Sequence, residues 1–414
     1  MTHAAAPPLP GLRLRSGALA GFVVALAMGT SSIVFSEPAI ADVLMIGVIL
    51  GVPILAAARL GPVTAASLAT WLVFVATGLA ALPMATNLET GIIHQLVTLF
   101  LALGACVLAA FVSKDPSPRF RLVMIFYVVG CITASLAAYV GYFGIVPGTY
   151  DLFTNYGRAR GTFKDPNVLG AALAPAITFT VWCTLRSPPA RAAIAAATTI
   201  FLSLALLITF SRGAWISTAF SLILVAWFAL VTSRQQRDIV RYAVVAALGL
   251  CALLVAFAAI LQMDSVSALL EQRANLDQSY DQGPEGRFGG QQKAINLLLE
   301  NPFGIGTHTF RDSYHSEEPH SVYLSMFLNA GWLGGMLYIL SVSMTLFVGF
   351  RGALRASPLQ GPFIIAAAAF AGVAFEGFVI DTDHWRHFFI LMALVWGLAD
   401  ADPDAVHPTL EHAP

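Results

Sequence analysis

The feature that most constrains this chain is a succession of apolar runs, each close to the about 20 residues that an α-helix needs to cross a bilayer. Marked off by their polar breaks, they fall near 17–35, 40–57, 62–83, 92–112, 120–146, 167–185, 191–210, 213–232, 241–261, 319–349, 360–380 and 386–399. In hydrocarbon every backbone N–H and C=O must find its partner within the protein, which leaves helices as the reading for runs of this length. Composition agrees: only 11% of the 414 residues are charged, against about 25% in soluble domains. The expected fold class is therefore an all-α integral membrane protein of about 12 transmembrane helices, with one long external loop between spans nine and ten. The implied organisation is spans one to nine over 1–261, an external loop with short helices over 262–318, spans ten to twelve over 319–399, and a tail over 400–414. Arg13 and Arg15 precede the first run as they would in a signal peptide. No small-residue cleavage site follows and a second run begins almost at once, so the first run reads as an anchor.

Basic residues in alternate loops give the orientation, because cytoplasmic loops are enriched in Lys and Arg near span ends. With the N-terminus inside, 13 basic residues fall on the cytoplasmic side and 9 outside, accounting for all 22. The first two outside loops carry none, so both termini are expected in the cytoplasm. The formal net charge of −1 gives no reason to expect nucleic acid or a polybasic membrane surface as a partner. Cys106, Cys131, Cys183 and Cys251 all fall inside predicted spans, so no disulfide framework or CxxC metal knuckle is available. The acidic residues of the C-terminal tail, Asp400 among them, read as a solvated end.

Residues 262–318 break the membrane pattern and are too long for an inert connector. A helix-like stretch runs from Gln291 to Glu300, with Ala294, Leu297 and Leu298 on one face. Pro302 ends it, and Gly304 and Gly306 allow a tight turn. The segment holds 4 basic and 9 acidic side chains, so an anion site on this side must rest on a few placed arginines.

Three constellations are able to carry chemistry. Ser211-Arg212-Gly213 wedges a guanidinium between two apolar runs, on the outer side and against the positive-inside bias. A charge there faces a polar cavity or snorkels to the interface. Tyr156 to Asn167 holds Arg158, Arg160 and Lys164 among glycines that let backbone N–H groups approach a ligand, a pattern suited to a diphosphate; its Asp165-Pro166-Asn167 also reads as a helix start. The third is His308, His315 and His320 with Glu317, Glu318 and Pro319. Pro319 suits the first turn of span ten, which would put His320 at a helix N-terminus, where the dipole disfavours imidazolium and keeps the ring able to take a proton. These His and Glu residues match no fixed metal-ligand spacing, and no metal or cofactor is expected. Glu376 lies within span eleven, with Asp381, Asp383, His384, Arg386 and His387 clustered at its outer end. His94 and Gln95 in span four are expected to make helix-to-helix hydrogen bonds.

Together these stretches resemble the O-antigen ligase and polymerase family of bacterial envelope glycosyltransferases. The resemblance rests on Gly161-Thr162-Phe163 to Pro166-Asn167, on Ser211-Arg212-Gly213 opening a span, on Gly286-Arg287 with Asn301-Pro302-Phe303-Gly304-Ile305-Gly306 and Phe310, and on His320-Ser321-Val322-Tyr323-Leu324 running to Gly331-Trp332-Leu333-Gly334. Ser321 stands where the family usually has Asn. The resemblance implies a metal-independent transferase at the outer face of the inner membrane, moving a glycan from undecaprenyl diphosphate to a sugar hydroxyl on lipid A-core or another glycan. By position, His320 matches the general base or acceptor-orienting residue, and Arg212 and Arg287 match cations facing the diphosphate. Arg158 or Arg160 matches a further cation, and Lys164, His308 and Arg311 are the remaining substrate-binding candidates. Within the family the alternative is a polymerase of O-antigen or exopolysaccharide. Outside it the rival is a transporter of a small anion such as bicarbonate, against which this sequence shows no repeated pair of the broken helices expected of many carriers.

Overall fold

The structure, a computed structural model, describes residues 10–55, 57–233, 235–236, 239–244, 247, 251, 255, 283–284 and 286–401. Among them the chain forms α1 (Pro10–Thr30), α2 (Ile40–Ile54), α3 (Pro62–Ala80), α4 (Leu88–Lys114), α5 (Pro116–Tyr142), α6 (Tyr150–Phe153), a hairpin of β1 (Thr154–Asn155) and β2 (Arg158–Ala159), α7 (Pro166–Arg186), α8 (Pro189–Ile208) and α9 (Arg212–Thr232). After the long loop come α10 (Arg287–Glu300), α11 (Thr309–Ser313), α12 (Val322–Leu354), α13 (Gln360–Glu376) and α14 (Arg386–Ala399). Two thirds of the predicted ninth run, 241–261, lies outside the described residues, as do all of residues 262–282 of the external loop and the tail beyond 401. Among the described residues, seven helices are long and apolar enough to cross a membrane, and four shorter apolar ones accompany them.

The helix starts are written in the sequence. Proline opens α3, α5, α7 and α8, where its missing N–H is no loss. Side-chain oxygens of Asn87, Asp165 and Ser211 accept first-turn N–H groups of α4, α7 and α9. The cap of α3 comes from far along the chain: Asp400 accepts the N–H groups of Val63 and Thr64 at 3.0 and 2.7 Å. Asp400 is thus buried, not the solvated tail residue expected, because unpaired helix donors are a better partner for a carboxylate than a loose end can show in sequence.

α14 forms the centre, packed against α4 and α13 and buried continuously from His387 to Leu398. α13 joins it to α9 and α12, α3 packs on α12 and α4, and α1 on α2 and α5. A helix apolar on all sides is at home in such a centre. The outer helices instead expose large side chains such as Leu72, Ile93, Leu136, Ile223 and Phe347, the face a bilayer would cover.

α12 is broken at Gly331, where φ is +71°. The Asn301–Gly306 turn fills the break. Ile305 donates to the Leu328 carbonyl at 2.7 Å and Trp332 donates to that of Pro302 at 2.9 Å. A Cβ on Gly304 or Gly331 would stand 2.7 Å from a backbone oxygen of the other segment, so glycine is required at both. The Trp332 indole also donates to Leu298 at 2.8 Å. The predicted face of the loop helix packs as expected: Ala294, Leu297 and Leu298 cluster with Ile305, Phe310 and Leu328. α10 starts four residues earlier than predicted, at Arg287. This splice fixes α10 on α12.

Candidate active site

Three helix N-termini, with the turn that precedes a fourth helix, meet at one cleft of about 420 Å³, lined by Tyr156, Arg158, Asn167, Phe210, Arg212, Gly213, Arg287, Glu317 and His320. Asn167 is the second residue of α7, Arg212 the first of α9 and Arg287 the first of α10, while His320 stands two residues before α12. Helix N-termini carry unpaired N–H groups and the positive end of the dipole. Adding three guanidinium groups makes a cleft built for an anion with several oxygens.

Each arginine is held differently. The β1–β2 hairpin turns at Tyr156 and Gly157, both with positive φ, and pairs Asn155 with Arg158. That buries Arg158, whose Nε donates to the Thr209 carbonyl and whose Nη2 donates to Asn167 Oδ1, both at 2.7 Å. Arg212 rides on the first turn of α9. Beneath it lies Glu376, buried at the end of α13, accepting from Ser217 Oγ at 2.7 Å; a side chain at Gly213 would come within 3.3 Å of this carboxylate. Arg287 is placed by α10, and so by the Gly331 splice.

His320 is not in the first turn of α12, as Pro319 had suggested. The helix begins at Val322 behind Ser321, and His320 is left-handed at φ 51°, a conformation that helix geometry excludes. The dipole argument therefore does not apply, and the ring is paired instead: His320 Nε2 lies 2.8 Å from Glu317 Oε2. A carboxylate oxygen accepts, so Nε2 is the donor of this pair. The backbone is held from both sides. Gln291 donates to the His320 carbonyl at 3.3 Å, and Asp381 accepts the His320 N–H. Asp381 also accepts from Ser325, and burial, with Asp383 adding to it, pushes its carboxyl up to about 7.

Among the described residues, three of the four non-glycine residues with positive φ, Tyr156, Phe210 and His320, line this cleft. Such conformations cost of order 1–3 kcal/mol each and persist where surrounding structure enforces them, commonly at functional sites.

Of the sequence candidates, His320, Arg212, Arg287 and Arg158 come together here, and four do not. Arg160 turns away, toward the carbonyls of Lys164 and Asp151 at 3.4 and 3.3 Å. Lys164 pairs with Glu37 at 3.1 Å, and Arg311 with Asp312 at the surface. His308 bonds Glu318 at 2.8 Å, a carboxylate that raises its pKa. His315 is buried, stacked on Phe310 and accepting the Glu317 N–H, a support under the 315–320 turn. Glu317, Asn167 and Tyr156 were not singled out as ligands by sequence reasoning. For Glu317 the signal was its place three residues before His320.

His94 does not bond another helix as expected; it lies against Asp383, His384 and His308. Gln95 reaches Thr307 in the loop at 3.5 Å.

Residues 197–339 match the family described as O-Antigen ligase, the family the motifs resemble. The matched segment contains Arg212, Arg287, Glu317 and His320 and ends within α12; Arg158 precedes it. A comparison with curated proteins returned no match.

Proposed function

From the O-antigen ligase match over residues 197–339, and from the convergence of three arginines, three helix N-termini and a carboxylate-paired histidine on one cleft, we infer that this membrane protein is a glycan transferase whose donor is a glycan on undecaprenyl diphosphate. The convergence carries the reading. A diphosphate is a polyanion whose charge grows as it leaves, and fixed guanidinium groups and helix dipoles facing it stabilise that charge without reorganising.

The acceptor is a sugar hydroxyl. Its oxygen attacks the anomeric carbon, the C1–O bond to the diphosphate breaks, and the bonding pair leaves on the phosphate oxygen. The acceptor proton passes to Nδ1 of His320, while Glu317 holds the proton on Nε2 and steadies the imidazolium as it forms. One displacement of this kind inverts the anomeric centre. The cleft faces the periplasm of a bacterial inner membrane, and both termini are cytoplasmic. Lipid A-core is the acceptor for a ligase; another lipid-linked repeat unit is the acceptor for a polymerase.

The test is glycan transfer in a strain lacking this protein, complemented with wild type or with His320→Ala, Arg212→Ala or Arg287→Ala at matched membrane expression. Wild type is expected to restore surface polysaccharide and the three variants to fail. A null strain left with single repeats marks a polymerase, and one with polymer absent from its acceptor marks a ligase. Three variants indistinguishable from wild type would remove this cleft as the site.

A further inference from the structure

A second cluster sits apart from the cleft residues, where α4 meets the loop between α13 and α14. His94, Asp383 and His384 each offer one ligand atom, and these atoms all lie within 4.8 Å of one another. The spacing is informative. His94 Nε2 is 3.4 Å from Asp383 Oδ2, and His384 Nε2 is 3.9 Å from the same oxygen. Charge-assisted hydrogen bonds of this type run about 2.7–2.9 Å, and elsewhere in this chain His308–Glu318 and His320–Glu317 both close to 2.8 Å. Two ligands about 2.0–2.1 Å from a tetrahedral ion stand about 3.4 Å apart. The gap between His94 and Asp383 matches the separation of two ligands around an ion and is wider than the direct bond that neighbouring pairs make.

We propose that His94, Asp383 and His384 bind a divalent transition metal, zinc by donor type, which ties the loop between α13 and α14 to α4. Two imidazoles and one carboxylate suit zinc in softness and number, with the fourth position left to water. His308 lies next to the cluster, its ring edge-on to that of His94 with centroids 5.2 Å apart and its Nδ1 bonded to Glu318. Thr98 Oγ1 touches His384 Nε2 at 2.9 Å and the His94 carbonyl at 3.1 Å. Metal binding exchanges the first contact and keeps the second. Asp381, two residues from the cluster, accepts the His320 N–H, and Glu318 adjoins Glu317, so an ion here steadies both supports of His320 from outside the cleft.

The experiment uses the full chain in detergent, purified on a tag that contains no histidine. Zn2+ content is measured by mass spectrometry, and Co2+ is titrated while its d–d absorption is followed. Expected are stoichiometric Zn2+, a tetrahedral Co2+ spectrum, a rise in Tm with added Zn2+, and affinity weakened more than about 10-fold in Asp383→Asn and His94→Ala. His315→Ala, buried but outside the cluster, is expected to bind as wild type does. Where His94→Ala does not fold, His384→Gln decides in its place. The proposal is overturned if wild type takes up neither metal stoichiometrically, or if folded cluster variants bind as well as wild type. None of these readouts involves glycan transfer, so the site stands or falls separately from the transferase reading.

Discussion

At the residue scale, the three cleft arginines share a charge and differ in what fixes them, and the variants should separate accordingly. Arg212→Lys keeps the charge and loses the planar fork, which matters wherever two phosphate oxygens are gripped at once. We expect turnover of a lipid-linked donor to fall about 10²- to 10³-fold, the range for losing one fixed donor to a developing anion. His320→Ala should cost about 10²- to 10⁴-fold. Glu317→Gln keeps the imidazole and removes the carboxylate that fixes its tautomer, so its loss should be smaller than that of His320→Ala and should appear in kcat more than in KM; steady-state kinetics on detergent-solubilised enzyme checks all three. The residue types were legible in the sequence because cations among apolar runs need a polar reason to be there. Choosing Arg158 over Arg160 was not, since the choice depends on a four-residue hairpin and on Asn167 receiving the guanidinium. His308 and Arg311 misled for a related cause: they are near His320 in the chain, yet a left-handed His308 and a five-residue helix direct them elsewhere.

At the element scale, the break in α12 explains why two distant glycine-rich motifs occur in one chain. Gly331→Ala would force a side chain into a left-handed position and within 2.7 Å of the Pro302 oxygen. The strain alone is of order 1–3 kcal/mol, and undocking the Asn301–Gly306 turn releases α10 with Arg287. The variant should lose both Tm, read by thermal unfolding in detergent, and transfer activity, though it touches no substrate. Asp400→Ala should lower stability by about 0.5–2 kcal/mol, the usual worth of an N-cap, with activity per folded molecule unchanged. Helix positions were largely readable because prolines and capping side chains mark starts and the apolar runs mark lengths. The remaining errors were at joints. Helix α12 starts at Val322 and α10 at Arg287 because contacts from other segments, such as the Gly377 and Ile380 carbonyls that accept the Val322 N–H, decide where a helix begins.

At the scale of the whole molecule, the pairing of Arg386 with Asp42, bidentate at 2.8 and 2.6 Å and mostly buried, ties the central helix to α2. Arg386→Ala leaves the Asp42 charge without its partner and is expected to cost about 3–5 kcal/mol, visible as a lower Tm and a lower membrane yield. Reporter fusions test orientation: one inserted at Gly157 should report the periplasm and one at Ser187 the cytoplasm. The sequence could supply the list of helices; their arrangement follows from long-range contacts, and placing α14 at the centre is the clearest case. That helix has 14 residues, about 21 Å at about 1.5 Å per residue, shorter than a bilayer core of about 30 Å. Wrapped by protein along its length, it has little to gain from lipid. The order of manufacture then runs against the order of packing, since the last of the described helices to leave the ribosome is the one around which the others close. Until it arrives the earlier helices surround a vacant slot, and a chain stopped before Arg386 should be cleared by membrane quality control instead of accumulating as a smaller, folded protein.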